Sequence, residues 1–176
     1  MFTIIHVAFE LFKIVSLAAA YTFALYILKF LYTEIKRDNR VKEVKFLSVY
    51  VPVVGLMLIY SFTYYGDHGL GDEAHLPIGY GETIDESDNY SYFDSEKEAR
   101  QINVDSFLVR HDHLCIASDT LIYDCQLKSG EVKKFTDEKI YDAYASGHHL
   151  PKLKEFKKFS PQYAAYWNGW RFWCLP

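Results

Sequence analysis

Imidazole and carboxylate side chains crowd together at one place in this chain. His68, Asp72 and His75, with Asp67 and Glu73 among them, lie within nine residues. These are ligand types that hold divalent metals, so His68, Asp72 and His75 are the metal candidates of a metal-dependent reaction. Their spacing fits neither a calcium loop nor a zinc motif. A looped acidic segment beside a membrane has the same composition, and that is the simpler expectation. His111 and His113 would share one face of a continuing strand, but no third ligand lies nearby. Two imidazoles in a turn is the plainer reading. No glycine-rich phosphate loop, nucleophile elbow or metal-binding helix motif occurs. The expectation is therefore a protein without catalytic residues and without a cofactor.

The second chemical feature is aromatic. Tyr163 to Trp173 carries Trp167, Trp170, Arg171 and Trp173 around Asn168-Gly169. Asn-Gly between aromatic runs predicts a β-hairpin. The three Trp and Arg171 are candidate partner or interface residues, as a ligand-stacking patch or an anchor at a bilayer surface. Cross-strand core packing is the plain alternative. Cys115, Cys125 and Cys174 form no CxxC. A Cys115–Cys125 disulfide is possible between neighbouring strands outside the cytoplasm, whereas three small core residues is the simpler reading.

Two apolar stretches must position these features. Phe46 to Tyr65 is twenty residues without a charge. A helix of that length, at about 1.5 Å per residue, just crosses a hydrocarbon core of roughly 30 Å. Met1 to Tyr32 is apolar apart from Glu10, Lys13 and Lys29. It lacks the basic start of a signal peptide, so an uncleaved span over about 13–33 is expected. His6, Glu10 and Lys13 share a helix face. Glu10 and Lys13 are candidate partner contacts, or an ordinary ion pair on a protruding helix. Ser16, Ala18, Ala19, Ala20, Ala24 and Gly55 offer small faces for packing the spans as a hairpin.

The intervening loop, 34–45, holds Lys36, Arg37, Arg40, Lys42 and Lys45, while Asp67, Asp72 and Glu73 follow the second span. The positive-inside rule then makes the loop cytoplasmic. Both termini and the C-terminal domain are expected on the outer side of a bacterial inner membrane. Residues 1–65 carry 7 Lys/Arg against 4 Asp/Glu, and residues 66–176 carry 12 against 19. An acidic domain lacks the basic face that nucleic acid requires.

The soluble half divides into a Gly/acid-rich linker, 66–102, and an α+β domain, 103–176. Leu76 to Gly81 suits an edge strand and turn, and Ser95 to Arg100 a single helical turn. Runs rich in Val, Ile, Leu, Phe and Tyr at 104–110, 114–117, 120–127 and 132–135 predict an antiparallel meander, locally like one propeller blade and not repeated elsewhere. Thr136 or Asp137 caps a helix over 138–146 that ends at Gly147, with Ile140, Tyr141 and Tyr144 as its apolar stripe. The expected fold is a membrane α-helical hairpin plus a small α+β extracytoplasmic domain with an antiparallel β-meander.

Ile122-Tyr-Asp, Ser129-Gly-Glu-Val, Leu150-Pro151 and the Tyr166-Trp-Asn-Gly-Trp-Arg-Phe-Trp173 ending resemble a group of small uncharacterised bacterial two-pass membrane proteins. The resemblance covers about the last 60 residues and implies a bacterial source, with no activity attached.

The expected function is a non-catalytic accessory or interaction subunit of a larger membrane assembly, with the bilayer and a protein as partners. The alternatives are a sensor or defence protein whose β domain binds a small ligand, and a metal-dependent enzyme using the His68/His75 region.

Overall fold

The computed structural model describes residues 2–36, 44–67, 69, 73–95 and 100–176. They fall into two units, Met1–Asp67 with Gly169–Pro176, and His68–Asn168.

The first unit is helical. Helix α1, Phe2–Lys36, runs 35 residues, about 52 Å, and so exceeds the expected span at both ends. No Gly or Pro interrupts this stretch, so nothing stops the helix where the bilayer would. Helix α2, Phe46–Ser61, is 16 residues and about 24 Å long. It stops short of the expected end at Tyr65. The chain turns instead through Thr63, whose hydroxyl donates to the Tyr60 carbonyl at 2.7 Å. Gly66 is obligatory there, because a Cβ would lie 2.1 Å from the Tyr60 carbonyl oxygen. By length and composition only α1 is long enough to cross a membrane among the described residues.

The two helices lie side by side. The Tyr26 and Phe46 rings are 6.0 Å apart, the Tyr26 hydroxyl donates to the Val44 carbonyl, and the Tyr50 hydroxyl donates to the Val15 carbonyl at 3.3 Å. Ile14, Ala18 and Thr22 form the buried stripe of α1 at four-residue spacing. Ala18 thus takes the expected small-residue role, but Gly55 does not. A Cβ there would meet nothing within 4 Å, so this glycine makes no close helix contact.

The second unit is built on two four-stranded antiparallel meanders. The first comprises β1 (Glu73–Gly79), β2 (Glu82–Ser87), β3 (Tyr90–Ser95) and β4 (Arg100–Asn103). The second comprises β5 (Ser106–Arg110), β6 (His113–Ser118), β7 (Leu121–Gln126) and β8 (Glu131–Phe135). The second matches the expected strands. The first stands where a linker was expected, and it makes the meander a repeated unit. The predicted edge strand at Leu76 is indeed β1, the outermost strand of its sheet. Its hairpins turn on two-residue loops, Tyr80-Gly81 and Asp88-Asn89, with positive φ at both positions. That geometry matches the twist of the flanking strands. The helical turn expected at Ser95–Arg100 falls mostly on residues outside the described set.

One core joins the sheets. Leu76, Ile84, Phe93 and Ile102 of the first pack with Phe107, Leu114, Ile116 and Cys125 of the second. The other face of the second sheet is covered by α3, Glu138–His148, around Cys115, Ile122, Tyr141, Ala145 and Leu150. Asp137 caps α3, accepting from the backbone N–H of Lys139 at 2.8 Å and of Ile140 at 3.1 Å. The helix passes Gly147 and ends at His149, which takes the left-handed conformation. Ile140 does not join the stripe; it points outward, and Tyr141 and Ala145 are the buried positions. Cys115 and Cys125 belong to opposite faces, since Cys125 pairs with Leu114 and Cys115 with Asp124. Neither thiol is in a disulfide, and the disulfide option is removed by that one-residue offset.

The C-terminal aromatic segment is helical, not a hairpin. A 3-10 turn at Leu153–Glu155 leads to Lys157, which exchanges backbone hydrogen bonds with Phe107 and shields the edge of β5. Helix α4, Phe159–Trp167, follows, then α5, Trp170–Cys174. Phe159, Tyr163, Tyr166 and Trp167 recur at helical spacing, with Phe159–Tyr163 centroids 5.5 Å and Tyr163–Trp167 6.3 Å apart. Asn168-Gly169 separates two helices, with Gly169 at φ 76°.

Candidate functional site

Of the metal candidates, His75 is described, and His68 and Asp72 lie outside the described residues. His75 sits opposite Asp85 across β1 and β2, with Nδ1 2.7 Å from Asp85 Oδ1. Its backbone carbonyl accepts the indole N–H of Trp167 at 3.1 Å. Among the described residues no group of three His, Cys, Asp or Glu side chains is placed to hold a metal ion. On the same face the Tyr92 phenol is pushed up by burial, then by the carboxylates of Asp85, Glu73 and Asp94. His111 occupies the β5–β6 turn at φ 59°, and His113 opens β6, so the two do not share a strand face.

His113 belongs to a polar network between the second sheet and α3. Its Nδ1 lies 2.7 Å from Oδ1 of Asp124, a carboxylate only 3% exposed. The other carboxylate oxygen accepts the Tyr144 hydroxyl at 2.8 Å, and Lys133 Nζ donates to that hydroxyl at 3.3 Å. Burial, followed by the bond to Asp124, raises the Tyr144 phenol, and the Tyr144 hydroxyl raises Lys133. Each carboxylate oxygen is thus satisfied, which a buried charge requires. The recess beside this network is about 10 Å³, too small for an organic substrate. Its geometry is that of a structural clamp holding α3 to the sheet.

The larger opening lies elsewhere in the unit. A cleft of about 560 Å³ falls within the range of small-molecule sites. One wall comes from the Asp88-Asn89 turn, with Glu86, Tyr90 and Ser91. A second comes from the link between the sheets, Asn103 to Asp105, and from Asp119. Lys158, Phe159 and Ser160 at the start of α4 close it. Glu86 accepts the Ser91 hydroxyl at 3.0 Å, and Asp105 accepts the Asp119 backbone N–H at 2.6 Å. Three carboxylates, two amides, two hydroxyls and the exposed ring of Tyr90 suit a small ligand rich in hydroxyl or amino groups. Sequence reasoning missed this cleft because its walls are contributed by four separate stretches. The turn signals at Asp88-Asn89 and Ser118-Asp119 are its faint trace in the sequence.

The candidate interface residues are divided between the units. Trp167 is buried in the two-sheet unit against Tyr163 and Tyr166. Trp170, Arg171 and Trp173 belong to the helical unit. There Lys13 Nζ lies 5.0 Å from the centre of the Phe172 ring, and the Tyr21 hydroxyl donates to the Cys174 carbonyl at 2.7 Å. Glu10 lies about one turn before Lys13 on α1. Of the basic loop, Lys36 closes α1 with its ammonium 4.9 Å from the Tyr32 ring, and Lys45 is the N-cap of α2. Arg37, Arg40 and Lys42 lie outside the described residues. No family model matches this chain, and no curated protein or solved structure does either.

Proposed function

We propose that this chain is a membrane-anchored binding protein, non-catalytic, and an accessory or interaction subunit of a larger assembly in a bacterial inner membrane. In this reading α1 and α2 both cross the bilayer, and the two-sheet unit stands outside the cytoplasm. One observation carries it: away from its buried stripe, large apolar side chains face outward along the length of α1, among them Ile4, Phe12, Phe23, Phe30 and Ile35. Water would penalise that surface by roughly 25 cal/mol per Å², whereas lipid would not. From Lys13 to Lys36 the helix rises about 35 Å, close to the bilayer core of roughly 30 Å. Lys29 lies about one turn inside Thr33, the expected end of the span, within snorkelling reach of it. Helix α2 is short alone, but Phe62 to Tyr65 add four uncharged residues to its outer end.

The test is extraction of native membranes with alkaline carbonate, followed by sizing in mild detergent. Retention in the membrane with a co-purifying protein at matching amounts supports the reading. Release by carbonate overturns the membrane part, and a chain that purifies alone overturns the partner part.

The cleft favours a second reading, a receptor for a small hydroxyl- or amine-bearing ligand. Protection of Tyr90 and Lys158 from chemical modification by such a ligand would distinguish it.

A further inference from the structure

We propose that α5 is an interfacial membrane anchor, with Trp170 and Trp173 seated among the lipid headgroups at one end of the span made by α1. The inference rests on the membrane reading above. Trp170 is 61% and Trp173 73% exposed, whereas Trp167, three residues before Trp170, is buried. Two such indoles side by side on one short helix form an exposed apolar patch that needs an occupant.

That patch is continuous with α1. Tyr21 holds the backbone at Cys174, and Lys13 covers the Phe172 ring, so α5 lies along the stretch of α1 between those residues. Phe9 and Phe12, in the turn of α1 before Lys13, are outward-facing too. An indole combines an apolar ring with one N–H donor, which suits the headgroup level and neither the hydrocarbon core nor bulk water. Two cations accompany the rings: the Arg171 guanidinium lies 5.0 Å from the Trp170 ring centre, and Lys13 sits over Phe172. They match the phosphates of anionic lipids.

The far end of the span repeats the pairing. Lys36 lies against Tyr32 there, about 35 Å along the helix from Lys13. A cation–aromatic pair thus stands at each edge of a bilayer-sized interval. The occupant is the lipid interface and not a second protein, because the patch shares its surface with a helix whose length and outward apolar residues fit lipid.

All three Trp of the chain lie within seven residues, which makes the test direct. The full chain is reconstituted into phosphatidylcholine–phosphatidylglycerol vesicles, with and without acyl-chain-brominated phosphatidylcholine. Co-flotation with the vesicles is scored separately from Trp fluorescence. The expected result is co-flotation, with loss of most of the Trp170 and Trp173 emission to bromines placed near the headgroup. The Trp170→Phe/Trp173→Phe protein, which keeps Trp167, should float equally well and resist quenching. Floating protein whose emission is quenched by aqueous iodide and not by brominated lipid overturns the anchor and leaves the membrane reading intact. Equal quenching of the double variant also overturns it. Protein that does not float takes both down.

Discussion

Trp167 and His75 are joined by a single hydrogen bond across 92 positions of sequence, from the indole N–H to the strand carbonyl at 3.1 Å. The bond ties α4 to the outermost strand of the first sheet, so the aromatic C-terminal helix completes the edge of a domain that begins far upstream. Trp167→Ala removes both the bond and a buried ring and should cost about 3–5 kcal/mol. Trp167→Phe keeps most of the packing and should cost about 1 kcal/mol. Thermal unfolding followed by near-UV circular dichroism measures both, and equal losses would show that packing contributes nothing.

Asp124 offers a sharper test of how α3 is held. Its two oxygens serve His113 and Tyr144, so Asp124→Ala strands two polar groups at once and should destabilise by about 2–3 kcal/mol. Tyr144→Phe leaves the carboxylate one partner and should cost about 1 kcal/mol. In a double-mutant cycle, Asp124→Ala with His113→Ala should cost less than the sum of the single changes, because the two side chains share one bond. Strict additivity would mean that the contact carries no energy.

Alkaline pH should loosen the same helix. Cys115 is pushed up from 9.0 to about 12, chiefly by burial, and burial also leads the upward shifts of Tyr141 and Tyr144 from 10.0. Each group keeps its proton in the folded state after the unfolded chain has lost it. The unfolded state then binds fewer protons, so stability falls as pH rises. These contributions are complete below the unfolded values and begin to disappear above pH 9.0 for Cys115 and 10.0 for the two tyrosines. Denaturation midpoints measured at increasing pH should be flat below about pH 9 and decline beyond it. Cys115→Ala and Tyr141→Phe should each make the decline shallower.

What could be read from the sequence follows from where apolar residues are consecutive. The strands of the second sheet are visible because β6 and β7 bury both faces, giving runs such as Leu114-Cys115-Ile116. The first sheet packs its core from one side. Its Leu76, Ile84, Phe93 and Ile102 are separated by acids, Ser and Gly, and the stretch reads as a linker. Around Asn168-Gly169 a strong local turn signal competed with the helical spacing of Phe159, Tyr163, Tyr166 and Trp167, and the spacing won because it buries Phe159 and Trp167 in the two-sheet core and beside it. The cleft had no contiguous signal, since it is a property of four segments meeting.

Thiol accessibility tests the register of the second sheet directly. Cys115 and Cys125 point into different apolar clusters on opposite faces of that sheet, and Cys174 lies exposed on α5. Reagent access favours Cys174, because Cys115 and Cys125 are buried, and the high pKa of Cys115 leaves it almost no thiolate at neutral pH. Detergent-solubilised full chain treated with a small maleimide should therefore take up one label, mapped by mass spectrometry to Cys174. Denaturant should expose all three, with no requirement for reductant because none is in a disulfide. Cys174→Ser should abolish native labelling while leaving two sites in denaturant. A register slipped by one residue would turn β7 over, placing the Cys125 thiol beside His113 and driving the Asp124 carboxylate into the apolar core. Native labelling of Cys115, or a denatured chain that needs reductant to reach three labels, would contradict the pairing of Cys115 with Asp124 and with it the clamp that holds α3.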